Sequence, residues 1–391
     1  MKYKLEDICN RIYSGGTPST THKEYWNGDL PWLSSGETSQ RFVYTTEKFI
    51  TKEGVQKSST KYAKRNSIVM ASAGQGHTRG QVSFLMNDMY INQSVLVFEP
   101  EVSIVNPLYL YYNLDGRYEE LRQLSDGTST RGSLSGRIVK GMEIDLPNLS
   151  VQGKIVSVLY DIDKKIENNN QINRNLSEQA MAIFTDLFGD ADKDATVDEV
   201  SLNVTDGVHN TVKDDSEGKF FLLSCKNIKG GSLSLGEAER RINQETFEKL
   251  RKRTKLEKGD ILLSSVGTIG ELLLMSFDPD KYEFQRSVAI IKPNSDVVSS
   301  EYLYCALLAQ KQEIIRAAHG AVQQCIFISD IKGFTIHKPT SERLIQFDNA
   351  VVPMMKMIYQ NEEENKRLSL LRDTLLPKLM SGELDVSELD I

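Results

Sequence analysis

Cysteine is scarce in this 391-residue chain: Cys9, Cys225, Cys305 and Cys325 lie far apart and form no C-x-x-C pair. That excludes a disulfide framework and a thiolate zinc site, and fits reduced thiols in a cytoplasmic protein. The five histidines are scattered, with no H-E-x-x-H, which excludes a zinc hydrolase of that type. No stretch of 18 residues is continuously apolar, so no transmembrane helix and no membrane partner is expected. The N-terminal MKYKLEDICNRIY lacks the apolar centre of a signal peptide.

Catalytic motifs are missing too. There is no Walker A sequence, and GTPST and GTSTRGS are not phosphate loops. Asn106-Pro107-Leu108-Tyr109 lacks the second proline of the N-P-P-Y motif of amino-methyltransferases, and no F-x-G-x-G precedes it, so it reads as a helix start. Asp190, Asp192 and Asp194 mimic a calcium loop, but Ala195 stands where glycine is needed and Ser201 where the closing glutamate belongs. What remains is an ordinary globular composition, 39% hydrophobic and 26% charged, long enough for two or three domains.

The net charge of −7 is unevenly spread. Residues 1–150 carry +1 and 218–340 carry +4, whereas 189–217 carry −7 and 341–391 carry −4. The acidity sits in one connector and in the C-terminal segment, leaving two large neutral-to-basic segments able to meet phosphate.

The chain repeats itself. NSIVMASAG (66–74) aligns with GDILLSSVG (259–267), NQSVLVFEP (92–100) with QRSVAIIKP (285–293), and YLY at 109–111 with YLY at 302–304, all at an offset of 193. Gly127 falls on Gly320; one residue later in the shift, Gly141 falls on Gly333 and Pro147 on Pro339. A period this long is a domain duplication, not a solenoid. Each half opens with about 150 residues rich in short β-branched runs, such as 67–71 and 94–98, which read as strands. A short helix follows at 107–123, matched by 300–317.

Each half then closes on a segment of helical period. Ile155, Ile162, Asn169, Leu176 and Ile183 recur every seven residues, with Leu159, Ile166, Asn173, Ala180 and Leu187. The counterparts are Phe347, Met354, Asn361, Leu368 and Leu375, with Val351, Ile358, Asn365, Arg372 and Leu379. Both seams carry two asparagines at their middle. Buried asparagine in a seam fixes register, and an antiparallel pairing brings Asn169 and Asn173 to Asn361 and Asn365. The expected fold is α+β. Two homologous mixed, β-rich domains (1–150 and 189–340, the second including the connector 189–217) join two antiparallel coiled-coil spacer helices (151–188 and 341–380). A tail, 381–391, follows, and the whole has approximate two-fold symmetry.

Two related, unlike heads on a spacer suit duplex DNA with two separated half-sites. The loops differ where the framework agrees: 72–81 against 265–272, and GTSTRGSLS (127–135) against GAVQQCIFIS (320–329). In SGGTPST (14–20), PWLSSGE (31–37), LFGD (187–190) and LRDTLLPKLMSGELDV (371–386), together with the duplication, the chain resembles the specificity subunit of type I restriction–modification enzymes over essentially its whole length. The resemblance implies two target recognition domains reading one bipartite double-stranded DNA target, and helices that set the gap. It also implies that the helices dock two methyltransferase subunits and that two restriction subunits can join. S-adenosylmethionine would then belong to the methyltransferase, ATP and magnesium to the restriction partner, and no cofactor or catalysis to this chain.

Candidate base readers are the polar loop residues: Ser35, Glu37, Gln75, His77, Thr78, Arg79, Thr130 and Arg131 in the first half, and Lys226, Asn227, Arg286, Gln323 and Gln324 in the second. Ser34, Ser35 and Glu37 match Ser224, Cys225 and Asn227 in the duplicated frame. The basic cluster of Arg240, Arg241, Arg251, Arg253 and Lys258, and the group Lys57, Lys61, Lys64 and Arg65, are candidate phosphate contacts. Three other readings stay open: a specificity subunit of a methyltransferase-only or type IIB-like system, a methyltransferase–nuclease fragment, and a two-headed protein-binding scaffold.

Overall fold

The computed structural model describes residues 2–74, 77–126, 133–236, 239–320 and 324–388. The chain divides into two compact units, Met1–Ile166 with Lys366–Ile391, and Glu167–Asn365.

The first unit contains β1 (Lys2–Lys4), β2 (Cys9–Ser14), β3 (Trp26–Leu33), β4 (Phe42–Val43), β5 (Lys48–Ile50), α1 (Lys52–Gln56), β6 (Lys61–Ala63), β7 (Ile68–Ala71), β8 (Val82–Leu85), β9 (Met89–Ile91) and β10 (Val95–Pro100). Helices α2 (Pro107–Asp115), α3 (Tyr118–Asp126) and α4 (Gly136–Lys140), β11 (Glu143–Asp145) and the start of α5 (Leu149–Phe188) follow. One sheet has the order β2-β10-β7-β8-β4, the other β5-β3-β9-β6, with β3 parallel to β9. Both faces of β7, β8 and β10 are covered, which is why these strands are apolar runs rather than alternating ones.

The second unit repeats this plan. It holds β12 (Ala195–Thr196), β13 (Ser201–Asp206), β14 (Phe220–Leu223), β15 (Ile228–Lys229), β16 (Ser232–Leu233), β17 (Arg241–Ile242), α6 (Gln244–Thr254), β18 (Ile261–Ser264), β19 (Leu272–Leu274), β20 (Tyr282–Phe284) and β21 (Val288–Pro293). Then come α7 (Ser300–Ala309), α8 (Lys311–Arg316), α9 (Ile328–Gly333), β22 (Thr335–Ile336) and α10 (Ser341–Ser381). Its larger sheet runs β13-β21-β18-β19, and β14 is parallel to β20. Even the register is repeated: Leu96 faces Met70 and Ser14, while Ala289 faces Leu263 and Asp206.

Two details depart from the sequence reading. The stretch 189–217 is no bare connector, since it supplies β12 and β13. The helices expected over 107–123 and 300–317 are each broken in two, around Gly116 and Gln310. The first is started by Asn106, whose Oδ1 accepts from the Leu108 N–H, with Pro107 in the first turn.

Within each unit the long helices lie antiparallel. In the first, Leu376 and Leu379 of α10 share a buried core with Ile155, Val156 and Leu159 of α5 and with Tyr109, Leu110 and Leu114 of α2. At its edge, Asp163 (4% exposed) accepts from Arg372 Nη1 at 2.7 Å, Tyr112 OH at 2.7 Å and Arg41 Nε at 3.3 Å. Arg41 also reaches Asp115 at 3.0 Å. Burial pushes the Asp115 carboxyl up against the opposing pull of Arg41, and burial and Asp163 push the Tyr112 phenol far up.

In the second unit the matching floor is aromatic. Phe184, Phe188, Tyr302 and Phe347 meet with ring centroids 5.0–6.1 Å apart. The asparagines meet here: Asn361 Nδ2 donates to Asn173 Oδ1 at 2.8 Å, and Asn169 Nδ2 to Asn365 Oδ1 at 2.9 Å and Glu364 Oε2 at 2.8 Å.

Candidate nucleic-acid interface

In each unit, four segments are tied together at one end of the larger sheet by the same three backbone bonds. In the first unit the Gly16 N–H donates to Ile91 O, Ser72 N–H to Ser94 O, and Leu134 N–H to Ser72 O. In the second, the Val208 N–H donates to Phe284 O, Ser265 N–H to Ser287 O, and Ile326 N–H to Ser265 O. The bonds are 2.8–3.1 Å long. They gather the turn after β2 (or β13), the residues before β10 (or β21), the loop after β7 (or β18), and the segment ahead of α4 (or α9).

Glycine makes the approach possible. A Cβ on Gly15 would lie 2.0 Å from Ile91 O, and one on Gly207 would lie 2.0 Å from Phe284 O. The SGGTP turn is thus the point where the chain passes against the neighbouring strand.

Side chains on this frame differ between the units. Thr17 hydrogen-bonds Gln93 in the first. At the matched positions of the second stand His209, held by Asp206 at 2.6 Å, and Arg286. A 310 Å³ groove there is lined by His209, Asn210, Thr211, Arg240, Gln285 and Arg286, and an adjoining 440 Å³ groove again by His209 and Arg286 with Phe327. In the first unit His77 and Gln81 line a 320 Å³ groove with Thr38, Arg41 and Tyr118. Paired loops and grooves lined by polar side chains make a surface suited to base edges.

Residues 1–178 match the family model described as "Type I restriction modification DNA specificity domain". The chain is 28% identical to the type I restriction enzyme MjaIX specificity subunit of Methanocaldococcus jannaschii, over 99% of this chain and 94% of that protein. It is 22% identical to the HindI specificity subunit of Haemophilus influenzae, over 83% and 88%. The crystal structure of a type I restriction–modification S subunit from M. genitalium shares the fold, with a TM-score of 0.61 and 16% identity over 97% of this chain and 95% of that one.

The chain is thus similar to type I specificity subunits over nearly its whole length.

Several candidate residues are buried or bonded within the fold. Glu37, expected as a reader, is 4% exposed: its carboxylate accepts from the Ser34 N–H at 3.0 Å, the Ser34 hydroxyl at 2.9 Å and the Glu47 N–H at 2.7 Å. Asn227 is its exact counterpart, 1% exposed, accepting from the Ser224 N–H at 3.0 Å and donating to Ser234 O. Both close a single 3-10 turn (Ser35–Glu37 and Cys225–Asn227) and are buried away from the surface that a base edge would meet. Ser35 lies half-buried in the first of these turns.

Arg79 is also buried and pairs with Asp126. Arg251 does not face solvent phosphate: it neutralises the fully buried Glu283 at 2.5 Å and donates to Pro279 O and Tyr282 O. Burial pushes the Glu283 carboxyl up, and Arg251 and Thr254 work against that. Arg240 is engaged by Asp214 at 2.6 Å, Arg253 by Asp206 at 3.0 Å and Lys226 by Glu239 at 3.1 Å. Arg241 lies over the Phe221 ring.

His77, Arg286, Gln324, Lys57, Lys61, Lys64, Arg65 and Lys258 are exposed, and Thr78 is half-buried. Gln75, Thr130, Arg131 and Gln323 lie outside the described residues. The structure adds to the same loop frame Thr17, Gln93, His209 and Asn210, which the sequence reading did not single out. The aligned segments NQSVLVFEP and QRSVAIIKP already carried one signal, the Gln93–Arg286 difference within an otherwise matched frame. Among the described residues no helix is long and apolar enough to cross a membrane.

Proposed function

We propose that this chain is a type I specificity subunit that reads a bipartite, asymmetric double-stranded DNA target, one half-site per loop cluster. The observation that carries the reading is the doubled loop frame, identical in its backbone bonds and different in its side chains. Helices α5 and α10, of 40 and 41 residues, are roughly 60 Å long at 1.5 Å per residue and set the number of unread base pairs between the half-sites.

Two methyltransferase subunits dock along these helices and methylate adenine with S-adenosylmethionine. Two restriction subunits, using ATP and magnesium, add cleavage. This chain contributes recognition and no chemistry of its own.

Sequencing of methylated adenines in cells that carry the chain and its methyltransferase tests the proposal. Two unequal half-sites separated by a constant gap are expected, and methylation without such a pattern defeats it. Deleting one heptad from both helices removes about 10.5 Å, so the gap should change by about three base pairs with the half-sites unchanged. An unchanged gap would reject the ruler role.

A further inference from the structure

We propose that Gln93 and Arg286 are equivalent base-reading positions, Gln93 selecting adenine in one half-site and Arg286 selecting guanine in the other. The inference rests on the DNA-reading function proposed above and assigns it to one pair of side chains.

Three observations converge on these residues. They occupy the same place in the duplicated frame, directly before the serine whose carbonyl ties in the neighbouring loop: Ser94 O accepts from Ser72, Ser287 O from Ser265. The preceding amides are matched as well, Asn92 donating to Leu33 O and Gln285 to Leu223 O, so the backbone presents both side chains in the same way. Both side chains are exposed although their neighbours Ile91 and Val288 are buried.

The second observation is chemical. Arg240, Arg251 and Arg253 are each committed to a carboxylate of their own unit. Arg286 is different. Among the described residues its guanidinium has no acidic partner, and it forms the wall shared by both grooves of the second unit. A guanidinium left unpaired in a groove matches the O6 and N7 acceptors of guanine, which it can engage with two parallel N–H bonds.

The third is the support around each reader. The Thr17 hydroxyl donates to Gln93 Oε1, which fixes the plane of the carboxamide. A carbonyl oxygen has a second lone pair and the amide nitrogen keeps two donors, so the adenine N6 and N7 pattern can still be met. In the second unit His209 stands in the place of Thr17 and is itself anchored by Asp206. His209 and Arg286 line the same two grooves, so the second unit fills both positions with different chemistry.

The test uses the full chain assembled with its methyltransferase subunits on a random DNA library, with methylated adenines mapped by sequencing. R286Q should turn one guanine of one half-site into adenine, with preference shifting by about tenfold or more. The other half-site and the gap should stay as they are. Q93R should do the reverse in the other half-site. A folded R286Q assembly that methylates the wild-type sequence unchanged, or loses activity equally on every sequence, overturns the assignment; melting curves against wild type establish that it is folded. If the wild-type assembly itself shows no split target, the DNA-reading function fails, and that result is distinct from either outcome for the variants.

Discussion

Arg372 of α10 donates Nη1 to Asp163 of α5 at 2.7 Å, a buried charge pair in the first unit with no counterpart in the second. Shifted by the 192-residue period of the helices, Asp163 falls on Met355 and Arg372 on Ala180. Tyr112 and Asp115, which complete the network, lie where the offset is 193 and fall on Cys305 and Leu308. One duplicated floor is thus ionic, the other apolar and aromatic. The carboxylates of Asp163 and Asp115 are buried against Arg372 and Arg41, so loss of one partner leaves a buried charge uncompensated.

Removing one member of the network should therefore cost far more than removing the pair. Arg372→Ala leaves Asp163 buried with Arg41 and Tyr112 alone and should destabilise the first unit by about 3 kcal/mol. Asp163→Met together with Arg372→Ala copies the second unit and should recover most of that loss. Hydrogen exchange of the first unit's amides at increasing urea reads this directly. Additive losses in the double variant would show that the pair does not act as one.

Glu37 gives a second expectation. Three hydrogen bonds to its carboxylate hold the turn after β3 and the chain at Glu47. Glu37→Ala should lower the stability of the first unit by about 1–3 kcal/mol, because buried N–H groups lose their acceptor. The methylated DNA sequence should not change. Thermal melting and methylation mapping check the two halves of this statement, and an altered base preference would return Glu37 to the readers.

The architecture was legible in the sequence because it rests on periodicity. The 193-residue repeat located the core strands, and the heptads located both helices and their asparagines. Which polar loop residues stay free of the protein's own bonds was harder to see, for a physical reason. Glu37, Asn227, Arg79 and Arg251 are polar residues in or near loops, which is how a base reader looks in sequence. Whether such a side chain is spent on the protein's own backbone depends on partners distant in the chain. Arg251 is claimed by Glu283, 32 residues away, and Glu37 by Glu47. Gln93 went the other way: an ordinary polar residue beside a strand became conspicuous once the matched backbone bonds put it at the place that Arg286, already a candidate, holds in the second frame.

The asparagine layer supplies the last expectation. Asn173 and Asn361 bond to each other, and Asn173 Nδ2 also reaches Ile358 O at 3.3 Å, so the pair is satisfied only in this alignment of the two helices. A leucine pair would bury more apolar surface but would pack nearly as well one heptad out of step. Asn173→Leu with Asn361→Leu should therefore raise the melting temperature of the second unit while loosening register. Cysteines placed at Leu176 and Ile358 in that background, compared with the same cysteines in the parent chain, report the outcome through oxidative cross-linking. The parent should cross-link through one spacing, and the leucine variant should also trap a pair shifted by seven residues when a cysteine is offered at Val351 instead of Ile358. If both chains trap a single spacing, apolar packing alone sets the register and the asparagines only lower stability.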